Sequence, residues 1–259
     1  MNAIRFDSYP MLKNPLLIVG FEGWNDGGRA ASNSLRRMIE AFQAKKFASI
    51  DPEEFYVFSE NRPLVKLVDG KSRREIQWHR NEFFYAELPG ADRDVVLFLG
   101  TEPNLKWQTF CANFMALAQQ FDVKMVVTLG AFLADVLYTL PVQINGVANH
   151  PRLIEEFNLQ RTNYEGPTGI VGVMNSYFED DNFTTLSLWG AVPYYISIPN
   201  PKAVHALLAK LQQIFSFKMD LQPLEADADN FDNEINDVVA KDPNIAAYVR
   251  ELKKREFLN

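Results

Sequence analysis

A glycine-rich turn near the N-terminus holds the side chains best suited to bind a ligand or a partner. The turn follows the apolar run 16–19, which predicts a buried strand, and precedes a helical pattern over 30–42. Glycines permit close approach of a ligand, and the first turn of a helix offers free N–H groups. The candidate residues here are Glu22, Gly23, Trp24, Asn25, Asp26, Gly27 and Gly28.

The charges in this turn argue against a bound phosphate. Its glycines match neither the dinucleotide motif Gly-x-Gly-x-x-Gly nor the P-loop motif. Within the turn, Glu22 and Asp26 come before the first cation, Arg29, so their negative charges would repel a bound phosphate. We expect Asp26 to cap the following helix, and Glu22 to be free for an amine, a hydroxyl or a partner's cation. A plain tight turn is favoured over a ligand site, and both alternatives stay open from the residues alone.

Three more segments carry candidate side chains. They contribute Thr101 and Glu102 after a strand over 94–100, Glu165, Gly166 and Thr168 before a helix over 169–178, and Trp189 within a strand over 184–195. Because ligands in open α/β sheets bind beyond the carboxyl ends of the strands, we expect these turns to meet at one rim. An acidic cleft would then be lined by Glu22, Asp26, Glu102 and Glu165. The alternative for each turn is close packing without a ligand.

The residue sets of common hydrolases and metalloenzymes are missing. The sequence contains no Gly-x-Ser-x-Gly elbow and no His-Glu-x-x-His helix. Its three histidines, His79, His150 and His205, are far apart, and the single cysteine, Cys111, is expected to be a buried apolar residue. We therefore predict no catalytic residues, no metal site and no cofactor.

The order of apolar segments predicts a three-layer α/β/α sandwich around a mixed sheet, with a helical C-terminal appendage. Residues 220–259 hold ten acids and five bases, and two helices are predicted there, over 224–240 and 243–256. The sequence therefore predicts an α/β/α domain over 1–219 and an acidic extension over 220–259. Within the first domain, a region of about 54–88 is predicted to be antiparallel, with extended segments at 55–58, 64–68, 74–78 and 82–88. A strand is predicted over 124–130, followed by a loop-rich stretch that ends at a short helix over 151–157, and an amphipathic helix is predicted over 201–215.

Composition narrows the classes of partner and location. The chain has 259 residues and a net charge of -7, which disfavours a general nucleic-acid binder. It has no apolar run of the length that a membrane span requires, and residues 1–14 do not resemble a signal peptide. A single cysteine suits a reducing compartment. We expect a soluble, cytoplasmic protein that binds neither nucleic acid nor membrane.

Several blocks, taken in order, resemble the proteasome assembly chaperone family of the second-subunit type, and most closely its actinobacterial branch. The resemblance spans about residues 10–215 and is carried by the blocks 17–28, 128–136, 164–170, 187–195 and 199–203. It implies a fold like that of the purine nucleoside phosphorylases and self-association as a homotrimer. It also implies a non-enzymatic role with proteasome-type subunits, and it supplies no catalytic residues.

Two functions follow from these observations. The first is a non-catalytic, oligomeric assembly or scaffold protein that resembles the proteasome assembly chaperones. The second is a protein that binds or hydrolyses a small nucleoside-like or amine-like molecule in the cleft beyond Gly23–Gly28. The eukaryotic chaperones end in a hydrophobic-Tyr-any tail, whereas this chain ends in Phe257-Leu258-Asn259, so leucine replaces the tyrosine. This difference argues against docking of the tail into a partner's pocket.

Overall fold

The computed structural model describes residues 3–70 and 72–256. The tail Phe257-Leu258-Asn259 lies outside the described residues. The strands are Ile4–Phe6 (β1), Leu16–Glu22 (β2), Lys45–Ile50 (β3), Leu64–Leu67 (β4), Arg74–Gln77 (β5), Glu82–Glu87 (β6), Asp94–Thr101 (β7), Met125–Ala134 (β8), Ile144–Ala148 (β9), Gln160–Arg161 (β10) and Thr184–Pro193 (β11). The α-helices are Ala30–Ala41 (α1), Trp107–Gln120 (α2), Pro151–Glu156 (α3), Ile170–Asp180 (α4), Pro201–Phe215 (α5), Gln222–Lys241 (α6) and Pro243–Glu256 (α7).

One large mixed sheet organises the chain. Its strand order is β1-β3-β6-β7-β2-β8-β11-β9-β10. The four central strands, β7, β2, β8 and β11, are parallel, and strands on both flanks include antiparallel neighbours. The carboxyl ends of these four strands therefore lie at one edge, which we call the rim. The prediction of a mixed α/β fold is confirmed.

The sheet has two cores because successive residues of a strand point to opposite faces. In β2, Leu16 and Ile18 pack with α1 and α5, whereas Leu17 and Val19 pack with α2 and α4. The second core is rich in phenylalanine, and the rings of Phe98 and Phe114 lie 4.5 Å apart. Helices on both faces of the sheet make the three predicted layers.

A separate hairpin projects from the sandwich. Strands β4 and β5 pair only with each other, with Leu64 opposite Gln77, and every residue of β4 is exposed. We call residues 64–77 the hairpin arm. At its base the rings of Phe58 and Trp78 lie 5.0 Å apart, and Tyr56 stacks on His79 at 5.1 Å.

The predicted acidic extension is helical and packs against the domain. Helix α6 contacts α5, and α7 contacts α6. Phe231, Ile235 and Leu252 form a small third core with Leu137 and Tyr138 from the loop after β8. The extension therefore covers one end of the rim rather than hanging free.

Several segments differ from the sequence prediction, and the short strands β1 and β10 are among those it missed. Residues 55–58 are turns and coil rather than a strand, because the carbonyl of Phe55 accepts the N–H groups of Asn104 and Leu105 and has no strand partner. Strand β3 was not predicted, since a bulge between Lys46 and Ala48 buries Phe47 and Ala48 in succession and breaks the alternation. Strand β9 was predicted as loop and instead pairs with β11.

Candidate functional site

The carboxylate of Glu102 joins three segments at the rim. Its Oε2 accepts the N–H of Trp24 at 3.1 Å, and its Oε1 accepts the Asn25 side-chain amide at 2.9 Å. Oε1 also accepts the N–H of Ile170 at 2.8 Å, at the first residue of α4. A carboxylate is favourable at a helix N-terminus, so Glu102 occupies the place where a phosphate would otherwise bind.

Glycines make this junction possible. A Cβ atom at Gly169 would lie 2.6 Å from Glu102 Oε1 and 2.4 Å from the Asn25 amide nitrogen, so any other residue there would force these two side chains to shift. Gly23 has a φ of +129°, in the region that favours glycine. The glycines of the first turn and of the turn before α4 therefore both permit the close approach of the backbone to Glu102.

Asp26 caps α1, as the sequence predicts. Its Oδ1 accepts the N–H of Ser32 at 3.1 Å across the short 3₁₀ turn Gly27–Arg29. Burial raises the pKa of the Asp26 carboxyl above its ordinary value, and the hydrogen bonds from Ser32 oppose that rise only in part. Asp26 thus positions the start of α1, and its neutral, protonated form can accept the same hydrogen bond from Ser32.

The same turn is bonded to the neighbouring elements. The backbone carbonyl of Asn25 accepts the N–H of Ala131 in β8 at 2.8 Å. The carbonyl of Gly28 accepts the N–H of Asn200 at 2.8 Å, and the Asn200 side chain caps α5 by accepting from Ala203 at 3.0 Å. The first turn is therefore fixed on both sides by hydrogen bonds.

Glu22 is not the free acceptor that the sequence predicts. Its carboxylate forms an ion pair with Arg36 of α1, and both side chains are about half exposed. The pair forms because Arg36 lies on the part of α1 that faces the end of β2. A partner's cation or a ligand amine would have to compete with this guanidinium.

A shallow groove of about 450 Å³ lies beside Glu102. The predicted residues Gly23, Trp24, Thr101 and Thr168 contribute to its lining, together with Asn61, Asn104 and Trp107. The carbonyl of Thr101 accepts the hydroxyl of Tyr56 at 2.6 Å. The last three lining residues were missed because they come from irregular segments and from a helix start with no recognisable motif.

Five predicted residues do not line this groove: Glu22, Asn25, Asp26, Gly27 and Gly28. Three further predicted candidates do not reach it. The Trp189 ring packs over Gly130, and its Nε1 donates to Ser187 Oγ at 2.8 Å within the sheet. Glu165 and Gly166 are exposed in the segment before α4 and do not line the groove. Within residues 3–70 and 72–256, Glu165 has no hydrogen bond or ion pair. The acidic cleft predicted from four carboxylates is therefore not formed: Glu22 is paired, Asp26 is a cap and Glu165 stands apart.

Exposed apolar side chains surround the hydrogen-bonded rim. Trp24 is 62% exposed, Leu133 is 59% exposed and Tyr194 is 50% exposed. Leu133 lies at the carboxyl end of β8, whereas Trp24 and Tyr194 follow the carboxyl ends of β2 and β11, and the exposed side chains of Leu105 and Ile198 follow β7 and β11. We call these five residues the apolar rim. Groups of exposed apolar side chains are typical of protein-binding sites.

The described part of the chain holds few groups with chemical reactivity. In residues 3–70 and 72–256 no group of three His, Cys, Asp or Glu side chains is placed to hold a metal ion. Cys111 is buried, and that burial raises the pKa of its thiol to about 12, so the thiolate is scarce at neutral pH. Within the same ranges no helix combines the length and apolar character needed to cross a membrane.

The fold and the rim define a mixed α/β sandwich protein whose strand ends are closed by hydrogen bonds. A family model described as the PAC2 family matches residues 20–239, and the chain belongs to that family. The predicted resemblance to proteasome assembly chaperones is confirmed, and the family match extends beyond residue 215 into α6.

Solved structures agree with this assignment. The chain is similar to Rv2125, a proteasome-assembly chaperone homologue of Mycobacterium tuberculosis, at 40% identity over 90% of this chain and 99% of that one, with a TM-score of 0.82. It is 36% identical to a PAC2 family protein of Streptomyces avermitilis, over 91% and 99% of the two chains, with a TM-score of 0.81. PbaB of Pyrococcus furiosus, an archaeal proteasome activator, shares the fold at 19% identity, with coverage of 92% and 99% and a TM-score of 0.73.

Proposed function

We propose that this chain is a non-catalytic, chaperone-like scaffold protein that binds proteasome-type subunits through the apolar rim. The observation that carries the proposal is the rim itself: exposed Trp24, Leu133 and Tyr194 lie on a fixed backbone. The N–H of Trp24 donates to Glu102, the N–H of Tyr194 donates to the carbonyl of Ala134, and Leu133 is in β8, which pairs with β11. Rigid aromatic and apolar anchors of this kind dominate binding energy at protein interfaces.

The relatives support the choice of partner. Rv2125 is described as a proteasome-assembly chaperone homologue, and PbaB as a proteasome activator. We extend that partner class to this chain and include self-association as a homotrimer. A cytoplasmic location fits a chain whose only cysteine is a free, buried thiol.

The geometry favours binding of a protein over chemistry on a small molecule. The groove's carboxylate, Glu102, already accepts three hydrogen bonds, and Glu22 is paired with Arg36. A general acid or base needs a carboxyl group that is within reach of the substrate. A nucleoside or amine would therefore have to displace bonds that hold the fold together.

The test measures binding of purified chain to proteasome α-type and β-type subunits from the same organism. Trp24→Ala should weaken that binding by about 30-fold, the scale of a buried interface anchor. Val147→Ala, at an exposed position in the middle of β9, is the matched control and should bind as the wild type does.

Two results would count against the proposal. The first is equal binding by the wild type and the Trp24→Ala variant. The second is a nucleoside or amine that raises the melting temperature of the wild type but not of a Glu102→Gln variant. That second result would favour the small-molecule alternative.

A further inference from the structure

The hairpin arm has an apolar face that the sandwich leaves uncovered. In the pairing of β4 with β5, Val65 lies opposite Ile76 and Leu67 lies opposite Arg74. Because side chains alternate along a strand, these four residues share one face of the arm. Val65, Leu67 and Ile76 are 58%, 57% and 53% exposed. A two-stranded hairpin is marginally stable in water by itself, so this face needs a covering surface.

The arm is also basic in an acidic chain. Residues 62–80 contain six Lys or Arg and two acids, a net charge of +4, which leaves -11 for the rest of a chain with net charge -7. The five cations described there are exposed: Arg62, Lys66, Arg73, Arg74 and Arg80. None of them has an ion pair within residues 3–70 and 72–256. Glu75 lies directly opposite Lys66 in the pairing of β4 with β5. Both residues are on the face of the arm that points away from Val65 and Ile76.

A complementary surface lies on α6. This helix contains six acids and one lysine, and its buried residues Leu224, Phe231 and Ile235 face the domain. Asp229, Glu234 and Asp237 are exposed and have no ion pair in the described residues. Val238 is exposed beside them, one helical turn after Glu234. We call Glu234, Asp237 and Val238 the acidic helix face.

The arm and the acidic helix face lie at different ends of the rim. The arm leaves the sheet between β3 and β6, whereas α6 packs on α5 and on the loop after β8. Four strands lie between β3 and β11 in the sheet order. One molecule therefore presents two different surfaces at separate places, and the pairing of two different surfaces makes a head-to-tail interface that can close into a ring.

We propose that the hairpin arm of one molecule docks, through its apolar face and Arg74, on the acidic helix face of a second copy of this chain. The contact covers Val65, Leu67 and Ile76 with the region of Val238 and pairs Arg74 with Glu234 and Asp237. This proposal rests on the proposed function only for the self-association of the chain, and it adds the surfaces that make the contact.

Charge reversal tests the pairing in the purified full chain by sedimentation velocity and light scattering. The arm variant, Arg74→Glu, and the helix variant, Glu234→Lys with Asp237→Lys, should each sediment as monomers of about 29.6 kDa. Arg152→Glu and Asp180→Lys are matched controls at exposed positions on α3 and α4, and should keep the mass of the wild-type oligomer.

Mixing distinguishes a head-to-tail contact from a general charge effect. In a mixture, the arm of each variant is complementary in charge to the helix face of the other variant, so the two should assemble into complexes that contain equal amounts of both. A chain that carries all three reversals has complementary surfaces again and should recover the wild-type mass. Replacing residues 65–76 with Gly-Gly should abolish assembly without lowering the melting temperature, because the arm contributes nothing to the three cores.

Three results would overturn the proposal: a monomeric wild type at micromolar concentration, an oligomer that survives the arm and helix reversals, or failure of the chain with all three reversals to reassemble. None of these measurements includes a proteasome subunit. Failure here would therefore leave the rim proposal standing, and failure of the rim proposal would leave the arm contact standing.

Discussion

Glu102 shows how a single residue fixes the chemistry of the rim. Its two oxygens accept hydrogen bonds from Trp24, Asn25 and Ile170, which belong to one loop and a helix start. The sequence places a glutamate after a strand and near a helix, but it does not reveal that this carboxylate bonds to the start of a different helix, α4. Glu102 is a positioning residue whose oxygens are used inside the protein.

Removing that carboxylate should loosen the rim. Glu102→Ala leaves the Asn25 amide and the Ile170 N–H without their acceptor, and we expect the free energy of unfolding to fall by about 2–3 kcal/mol in urea titrations. Glu165→Ala, which removes an exposed glutamate, should change it by less than about 0.5 kcal/mol. Equal effects of the two substitutions would contradict the role assigned to Glu102.

Asp26 gives a prediction with a defined pH dependence. Because burial raises the pKa of its carboxyl in the folded chain, ionisation costs the folded state free energy as the pH rises through that raised pKa. Asn at this position still accepts from Ser32 and carries no charge. Asp26→Asn should therefore be more stable than the wild type at neutral pH, and the gain should vanish below the ordinary aspartate pKa of 3.8.

Asp26→Ala separates the effect of the helix-capping hydrogen bond from the effect of the carboxylate charge. Alanine removes the acceptor of the Ser32 N–H, so stability should fall by about 1 kcal/mol even in acid. Thermal unfolding of the three proteins across the acidic range measures both effects. An Asp26→Asn variant that is less stable than the wild type at neutral pH would show that the carboxylate form is the one required.

At the scale of elements, the sequence predicted the segments that alternate cleanly and missed those that depend on distant partners. Strands β2, β7, β8 and β11 are long apolar runs buried on both faces, and all four were predicted. Helix α5 was predicted with its observed bounds because Pro201 and a clear apolar stripe mark it. Strand β3 was missed because its bulge exists only in pairing with β6.

The candidate site was predicted in part for the same reason. Adjacent turns at parallel strand ends were expected to meet, and Gly23, Glu102 and Gly169 do meet. The ion pair of Glu22 with Arg36 and the separation of Glu165 depend on side-chain directions that spacing does not define. Asn61 and Asn104 reach the groove through loops that carry no motif.

The C-terminal helices are an integral element of the fold. Phe231 is buried against the loop after β8, so Phe231→Ala should lower the free energy of unfolding by about 3–5 kcal/mol. Val238→Ala, on the exposed side of the same helix, should lower it by less than about 0.5 kcal/mol. Chemical denaturation of both variants measures the difference, and similar values would mean that α6 is only loosely attached.

This packing also changes how the extension should be tested. Removing residues 220–259 would expose Leu137, Tyr138 and Ile196 together with the end of the rim. A loss of partner binding in such a truncated chain would report damage to the fold as well as loss of a contact. Charge reversals on the outer side of α6 leave Phe231 and Ile235 in place and are the better probe.

At the scale of the whole molecule, two kinds of surface are separated in space. The apolar rim presents Trp24, Leu133 and Tyr194 at the ends of the central strands, whereas the arm and α6 lie toward its two ends. A ring joined by arms would repeat the rim once in each subunit. This arrangement would allow several weak contacts with a ring-shaped partner to add up through multivalency.

Photo-crosslinking from the rim in the native host tests this account most directly. A photoreactive phenylalanine placed at position 24 should form adducts with proteasome-type subunits, identified by mass spectrometry, while the same group at position 147 should form none. Adducts with those subunits from both positions, or from neither, would contradict a partner-binding rim.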